Sequence, residues 1–334
     1  MDLPTAVAAL SFFRPRLSRR FSLDFYGGEP LLEVPLIRKI AEGIDRSPGI
    51  SCLRPRFSLT TNGSLLTPAI LGFLEARGFS VTLSFDGLAQ ETHRKKGSLP
   101  VLCGALERLQ ASPRIRFGVN AVFTPKTVPL LADSVRFLAD SGGRDIRIST
   151  ALNLRWPLSS IEELGRQIRG VRLWTAAEFR RGNGIPVANF REGFDAEKRP
   201  FTCGAGRDRM AISPEGDVWG CHLFPDLFRI RSRAREIGAF RFGRLRDPES
   251  FPRDPAAILD RHSALGRDET SVSGRWCLFC PARESCEVCP LQAAFAGGRI
   301  AAIPPHICAI QRLWIAEKKA LRRSFEVANR RKNG

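Results

Sequence analysis

Seven of the chain's nine cysteines fall between positions 203 and 308, and this crowding constrains the last third more than any other feature. They are Cys203, Cys221, Cys277, Cys280, Cys286, Cys289 and Cys308, whereas Cys52 and Cys103 stand alone in the first 200 residues. Four of the seven lie between Cys277 and Cys289, in the order Cys-x2-Cys-x5-Cys-x2-Cys. Pro281 interrupts that run and Pro290 follows it, with no helical or strand period. A set of inert core cysteines is therefore a poor account. Upstream, Met210-Ala211-Ile212 and Asp217-Val218-Trp219 alternate like two strands around the turn Pro214-Glu215-Gly216. A hairpin there brings the flanking Cys203 and Cys221 close together, as shared ligation of one metal centre requires. So many thiols in a chain with no export signal point to metal or redox chemistry rather than disulfides. Zinc also takes four thiolates, but seven divide poorly into complete zinc sites. Crowded runs of this kind ligate sulfide-bridged iron clusters, which are the favoured reading. The shift in composition marks a boundary near residue 200, giving units over 1–200 and 201–310.

The first unit alternates strand-like and helix-like segments. Strands are expected at Phe21–Tyr26, Arg56–Thr61, Phe79–Phe85, Ile115–Val122 and Asp145–Ser149. Helical patterns separate them, over Leu31–Asp45, Pro68–Arg77, Val101–Gln110 and Val128–Asp140. Strands spaced by helices of this length imply βαβ units and a parallel sheet, so the fold class is α/β. After Cys308, apolar residues at helical spacing from Ile310 to Val327 read as a closing helix with a solvated basic face, placed over 311–334.

The unusual residues sit at one end of the strands. Gly27-Gly28-Glu29-Pro30 ends the first, Thr61-Asn62-Gly63 the second, and Ser84-Phe85-Asp86-Gly87 the third. Ligand sites of parallel α/β sheets gather at the carboxyl ends of strands, so three such loops face one common place. Glycine lets a backbone approach a ligand closely, and a carboxylate such as Glu29 can accept hydrogen bonds from a ligand ammonium group. Each loop alone is also an ordinary turn; their order at successive strand ends is what carries information.

At these residues the chain resembles a known family. Tyr26-Gly27-Gly28-Glu29-Pro30-Leu31-Leu32, Thr60-Thr61-Asn62-Gly63-Ser64-Leu65-Leu66 and Leu83-Ser84-Phe85-Asp86-Gly87 with His93-Arg94 look like the core of a radical-SAM enzyme. The resemblance implies a partial barrel of six βα units, here with five countable strands and without the first βα unit. It implies that Gly27, Gly28 and Glu29, with Pro30 and Asn62 in the same loops, hold S-adenosylmethionine, and that Ser84 lies near its ribose. The spacing Cys203…Gly216-x4-Cys221, Cys277-x2-Cys280-x5-Cys286-x2-Cys289 and Cys308 is similar to the SPASM domain of sulfatase-maturing and peptide-modifying members. By that resemblance Cys277, Cys280, Cys286 and Cys308 hold one auxiliary [4Fe–4S] cluster, and Cys203, Cys221 and Cys289 hold another.

The chain departs from the family in three respects. The family's Cys-x3-Cys-x2-Cys triplet, whose cluster delivers the electron that cleaves S-adenosylmethionine, is not present; no cysteine precedes Cys52. Either the sequence begins downstream of that triplet, which the three intact loops favour, or it is a relative that has lost radical chemistry. The second auxiliary cluster also lacks a fourth cysteine, leaving an open iron, a ligand from Asp195, Glu197 or His222, or no assembly. Two residues instead of the family's usual three precede Cys289.

The leading expectation is thus an iron–sulfur protein of an enzyme that modifies a peptide or protein side chain, served by an external electron donor. A non-catalytic iron–sulfur binding or electron-carrying partner is one alternative. A zinc-stabilised nucleic-acid-binding protein is the other, suggested by 52 Lys+Arg against 34 Asp+Glu and a formal charge of +18. No stretch interleaves aromatics with basic residues for base stacking, so nucleic acid is not the expected partner. No apolar run reaches the length of a membrane span. Met1–Phe13 lacks the positive start and the cleavage site of a signal peptide and reads as a helix of a cytoplasmic protein. No residue stands out as a catalytic base.

Overall fold

The computed structural model describes the chain except residues 54, 152, 192–203, 231–233, 254–255, 264, 266–270, 273–274, 297–298, 301 and 331–334. Helix α1 (Leu3–Phe13) begins at Asp2, whose carboxylate accepts the Thr5 amide at 2.9 Å. Five strands follow: β1 (Ser22–Phe25), β2 (Arg56–Thr61), β3 (Ser80–Ser84), β4 (Arg116–Phe123) and β5 (Ile146–Thr150). They pair in chain order and all in parallel. Between them lie α2 (Val34–Asp45), α3 (Pro68–Ala76), α4 (Leu99–Gln110) and α5 (Leu131–Asp140), and α6 (Leu158–Arg180) comes after β5. Strand order equal to chain order means that every right-handed crossover turns the same way, so the helices cover one face.

The pairing register explains why these residues make this sheet. Phe25, Leu59, Val81 and Phe117 stand in one row across four strands, and Thr61, Leu83, Val119 and Ile146 in another. Those rows face the helices, where Leu59, Val81, Leu83, Val119 and Ile146 are buried in one core. Residues one position away point to the opposite face. They include Asp24, Ser58, Thr60, Thr82, Ser84, Asn120 and Ser149, so that face is polar.

A sixth strand position exists at the β5 edge, though only as a single bridge. Val187 pairs with Ile146 in parallel, and the Pro186 carbonyl accepts the Ile146 amide at 3.0 Å. Asn189 then grips Ile148, its Oδ1 accepting the amide at 2.7 Å and its Nδ2 donating to the carbonyl at 3.0 Å. A side-chain amide stands in for a backbone strand here, which is why sequence pattern shows five strands only.

The cysteine-rich region holds a three-stranded antiparallel sheet of β6 (Ala211–Ile212), β7 (Asp217–Trp219) and β8 (Arg241–Arg244). The expected hairpin is β6–β7, turning at Gly216 with φ +88°. β8 was not foreseen; Asp217 draws it in by accepting from Arg244 Nε at 3.0 Å. The closing helix α7 (Pro305–Arg330) starts earlier than its apolar period suggests, and carries Cys308. It packs on α6, where Glu317 accepts from Arg172 at 2.5 Å and the Phe179 and Phe325 rings lie 4.2 Å apart. At the other end of the chain, Phe12 of α1 stacks on Phe251 of the cysteine-rich region at 4.9 Å. Both chain ends therefore fasten the two regions together. Among the described residues no helix is long and apolar enough to cross a membrane.

Candidate functional site

Glu29 is the most elaborately held side chain at the strand ends. Its Oε1 accepts from the Leu31 amide at 3.0 Å and the Thr61 hydroxyl at 2.8 Å, and its Oε2 from the Asn62 amide at 2.8 Å. A carboxylate has about four acceptor positions, so one remains for a ligand donor. No heavy atom lies within 4 Å of where a Cβ on Gly27 or Gly28 would stand, which leaves open space along the loop. Pro30 starts the helical turn Pro30–Glu33 and fixes the direction in which the chain leaves. The loop therefore fits an ammonium-bearing ligand: a fixed anion beside accessible backbone.

The second loop supports the first. The Thr61 hydroxyl donates to Glu29 and accepts the Gly63 amide at 3.0 Å. The Asn62 side chain turns inward to its own loop, its Oδ1 accepting the Ser64 amide at 2.9 Å and hydroxyl at 2.6 Å. Asn62 thus serves Glu29 through its backbone. Gly63 has φ +76°, and a Cβ there would meet Leu83 Cδ1 at 2.6 Å, so only glycine suits the turn.

The third motif divides between two places. Ser84 lies on the polar face, paired in register with Asn120, whose Oδ1 accepts the Ser149 hydroxyl at 2.9 Å. Asp86 is fully buried instead, accepting from the Val122 amide at 2.7 Å and from Arg94, with His93 Nε2 at 3.2 Å. Asp86, His93 and Arg94 form a clamp that fastens the loop to β4. Asp24 and Asn120 escaped sequence reading, although polar residues alternating with apolar ones in β1 and β4 were their visible sign.

The cysteines fall into two neighbourhoods. Cys221 and Cys289 border one apolar cluster with Trp219, Phe224 and Leu291, whereas Cys286 and Cys308 border another with Val288, Ile303 and Ile307. Cys277 and Cys280 flank one helical turn, closed by the Cys280 amide donating to the Cys277 carbonyl at 3.0 Å. Burial pushes the Cys308 thiol up, the Arg312 guanidinium beside it pulls it down, and the nearby Cys286 and Cys280 push it up again. Cys203, Asp195 and Glu197 lie outside the described residues. Among the described residues no three His, Cys, Asp or Glu side chains converge on one ion.

His222 stands beside Cys221 at the start of the short helix Leu223–Phe228. Its ring lies against the Tyr26 ring, with centroids 4.7 Å apart, and its Nδ1 is 3.8 Å from Cys221 Sγ. Burial lowers its proton affinity, Asp226 raises it, Arg209 lowers it, and Asp24 raises it.

Comparison with known proteins places this arrangement. No family model matches the chain. The mycofactocin maturase MftC of Mycolicibacterium smegmatis is 27% identical over 217 residues, 60% of this chain and 52% of that protein. The radical SAM cyclopropyl synthase TigE of Paramaledivibacter caminithermalis is 32% identical over 218 residues, 61% of this chain and 44% of that protein. The chain spans about half the length of the curated relatives it matches. Among solved structures, native anSMEcpe with bound AdoMet and the Cp18Cys peptide superposes with a TM-score of 0.76 at 17% identity. That match covers 99% of this chain and 91% of anSMEcpe, so the likeness of fold runs through both regions. With the parallel sheet, the Gly-Gly-Glu loop and the cysteine region in place, the chain is similar in sequence to the maturase MftC and the radical SAM synthase TigE, and it shares its fold with anSMEcpe.

Proposed function

We propose that this chain binds S-adenosylmethionine on the Gly27–Glu29 loop and iron–sulfur clusters on its seven clustered cysteines, as part of an enzyme that modifies a peptide side chain. The observation that carries the reading is Glu29, held by three donors at the end of β1 with acceptor capacity left over. In this reading Glu29 takes the ligand ammonium group, Gly27 and Gly28 let the ligand lie against the backbone, and Ser84 meets the ribose hydroxyls. Pro30 and the Asn62 amide keep the carboxylate aimed.

Cys277, Cys280, Cys286 and Cys308 would hold one cluster, and Cys203, Cys221 and Cys289 the other. Two observations support this split: Cys286 and Cys308 share one apolar cluster, Cys221 and Cys289 another. The peptide substrate is suggested by anSMEcpe, whose structures contain the Kp18Cys and Cp18Cys peptides. S-adenosylmethionine, when cleaved reductively, supplies a hydrogen-abstracting radical. The chain's own residues bind and orient it on the polar face of the sheet.

The 334 residues contain no Cys-x3-Cys-x2-Cys triplet, so the radical step is proposed only for a chain carrying one. The same observation favours a second reading, in which this chain binds the ligand and clusters without cleaving. Titration calorimetry with S-adenosylmethionine tests what both readings share. Binding should occur in the wild type and weaken roughly tenfold or more in Glu29→Gln, on the scale of a hydrogen bond to a charged group. Equal binding by the two proteins would remove Glu29 from the site. Formation of 5′-deoxyadenosine under reducing conditions then separates the catalytic reading from the binding one.

A further inference from the structure

Tyr26 is the chain's single tyrosine and stands immediately before Gly27-Gly28-Glu29. It is more than half exposed, and its ring meets only one other ring among the described contacts, that of His222. His222 follows Cys221 just beyond β7, at the start of the short helix Leu223–Phe228. The rings are 4.7 Å apart and tilted by 56°, and His222 Nδ1 stands 3.8 Å from Cys221 Sγ. An unbroken line of contact thus runs from the loop to a thiol: Tyr26 ring, His222 ring, Cys221 sulfur. It joins residues nearly two hundred positions apart in the chain.

Each joint in that line has a physical consequence. Offset aromatic pairs favour particular ring positions, so ordering the loop around a ligand sets where the His222 ring rests. With its proton on Nδ1, His222 offers a hydrogen bond to the Cys221 sulfur, and such bonds help set the potential of an iron–sulfur cluster.

We propose that Tyr26 and His222 are positioning residues that couple occupation of the Gly27–Glu29 loop by S-adenosylmethionine to the iron–sulfur group held through Cys221. This deepens the function proposed above and rests on it. Because coupling between two sites is reciprocal, the state of that cluster also alters how the loop holds its ligand.

The test is electron paramagnetic resonance and redox titration of the anaerobically purified, cluster-loaded full chain, with and without S-adenosylmethionine. Four variants are compared with wild type: Tyr26→Phe, Tyr26→Ala, His222→Phe and His222→Ala. In the wild type the ligand should shift the spectrum and midpoint potential of one cluster only. Tyr26→Phe keeps the ring pair and should keep the shift. Tyr26→Ala should lose it while still binding the ligand by calorimetry. His222→Phe, which retains a ring but no N–H, should change the potential even without ligand, and His222→Ala should do the same and also lose the ligand-induced shift. A Tyr26→Ala protein that responds like wild type overturns the proposal, as does an unaltered potential in His222→Phe. Iron, sulfide and calorimetric measurements on the same samples distinguish this failure from that of the parent reading. A wild type without clusters or ligand binding defeats both.

Discussion

The barrel and the cysteine-rich region solve the folding problem in different ways. The barrel buries one continuous core under its sheet, from Leu31 on the Glu29 loop to Leu321 on α7. Among its described residues the cysteine-rich region has three separate small clusters, two of them bordered by the proposed ligand cysteines. Its strands are two to four residues long. Apolar burial contributes roughly in proportion to area, so the barrel is stabilised by its own packing. The second region has far less apolar burial to hold it, so ligation by its thiols is the proposed source of the rest of its stability.

The sharpest way to break this contrast is to remove iron. Chelation under reducing conditions should strip amide-exchange protection from β6–β8 and the Cys277–Cys289 turns, while β2–β4 stay protected. Where ligation supplies the folding free energy, its loss unfolds the part that lacks a core. Uniform loss of protection across both regions would show that the barrel has no independent stability.

A second test strikes the barrel. Asp86 is fully buried and anchors Arg94, His93 and the Val122 amide. Replacing it with Ala should cost roughly 3 kcal/mol by denaturant titration, because the Val122 amide and Arg94 lose their charged acceptor. The change should spare iron content. If iron is lost as readily as stability, the two regions fold as one cooperative unit.

Thr61→Val gives a smaller effect, on function more than on folding. It removes the hydroxyl that donates to Glu29 and accepts from Gly63. Affinity for S-adenosylmethionine should fall by roughly two- to tenfold, because the carboxylate loses one of three donors that aim it while the ligand's own bond remains. Unchanged affinity would mean that the two backbone donors suffice to aim the carboxylate.

The mildest test is pH. His262 is buried among Phe224, Phe240 and Phe242, and burial lowers its proton affinity below the ordinary value near 6.5, with a bond to the Ile258 carbonyl opposing the shift. The unfolded chain then binds the proton more readily than the folded one. Its contribution to stability is present above about pH 6.5 and is lost as pH falls toward the depressed folded value. Thermal melts of the cysteine-rich region should show this slope, and His262→Phe should flatten it. A slope that survives the substitution assigns it to another group.

The same contrast governs what could be read from the amino acids. The barrel strands were legible because Arg56–Thr61 and its counterparts alternate in period two with turn residues at both ends. The Gly27–Glu29 and Thr61–Gly63 loops were legible because glycine marks backbone with special needs. The sixth strand position was not, since one bridge at Val187 and the Asn189 side chain carry no periodic signal. β8 was missed for a related reason: Arg241–Arg244 reads as a charged loop until Asp217 is placed opposite its arginines. The contact of Tyr26 with His222 is purely tertiary. In the third motif, local pattern could not show that Asp86 faces inward while Ser84 faces the polar side.

The central claim is that the cysteines hold iron–sulfur clusters beside a site for S-adenosylmethionine. Measuring iron, acid-labile sulfide and zinc per polypeptide in anaerobically purified protein tests it most directly. The account predicts iron and sulfide in equal amounts, about eight of each for two four-iron clusters or about four if the three-cysteine set stays empty. Zinc without sulfide would contradict it.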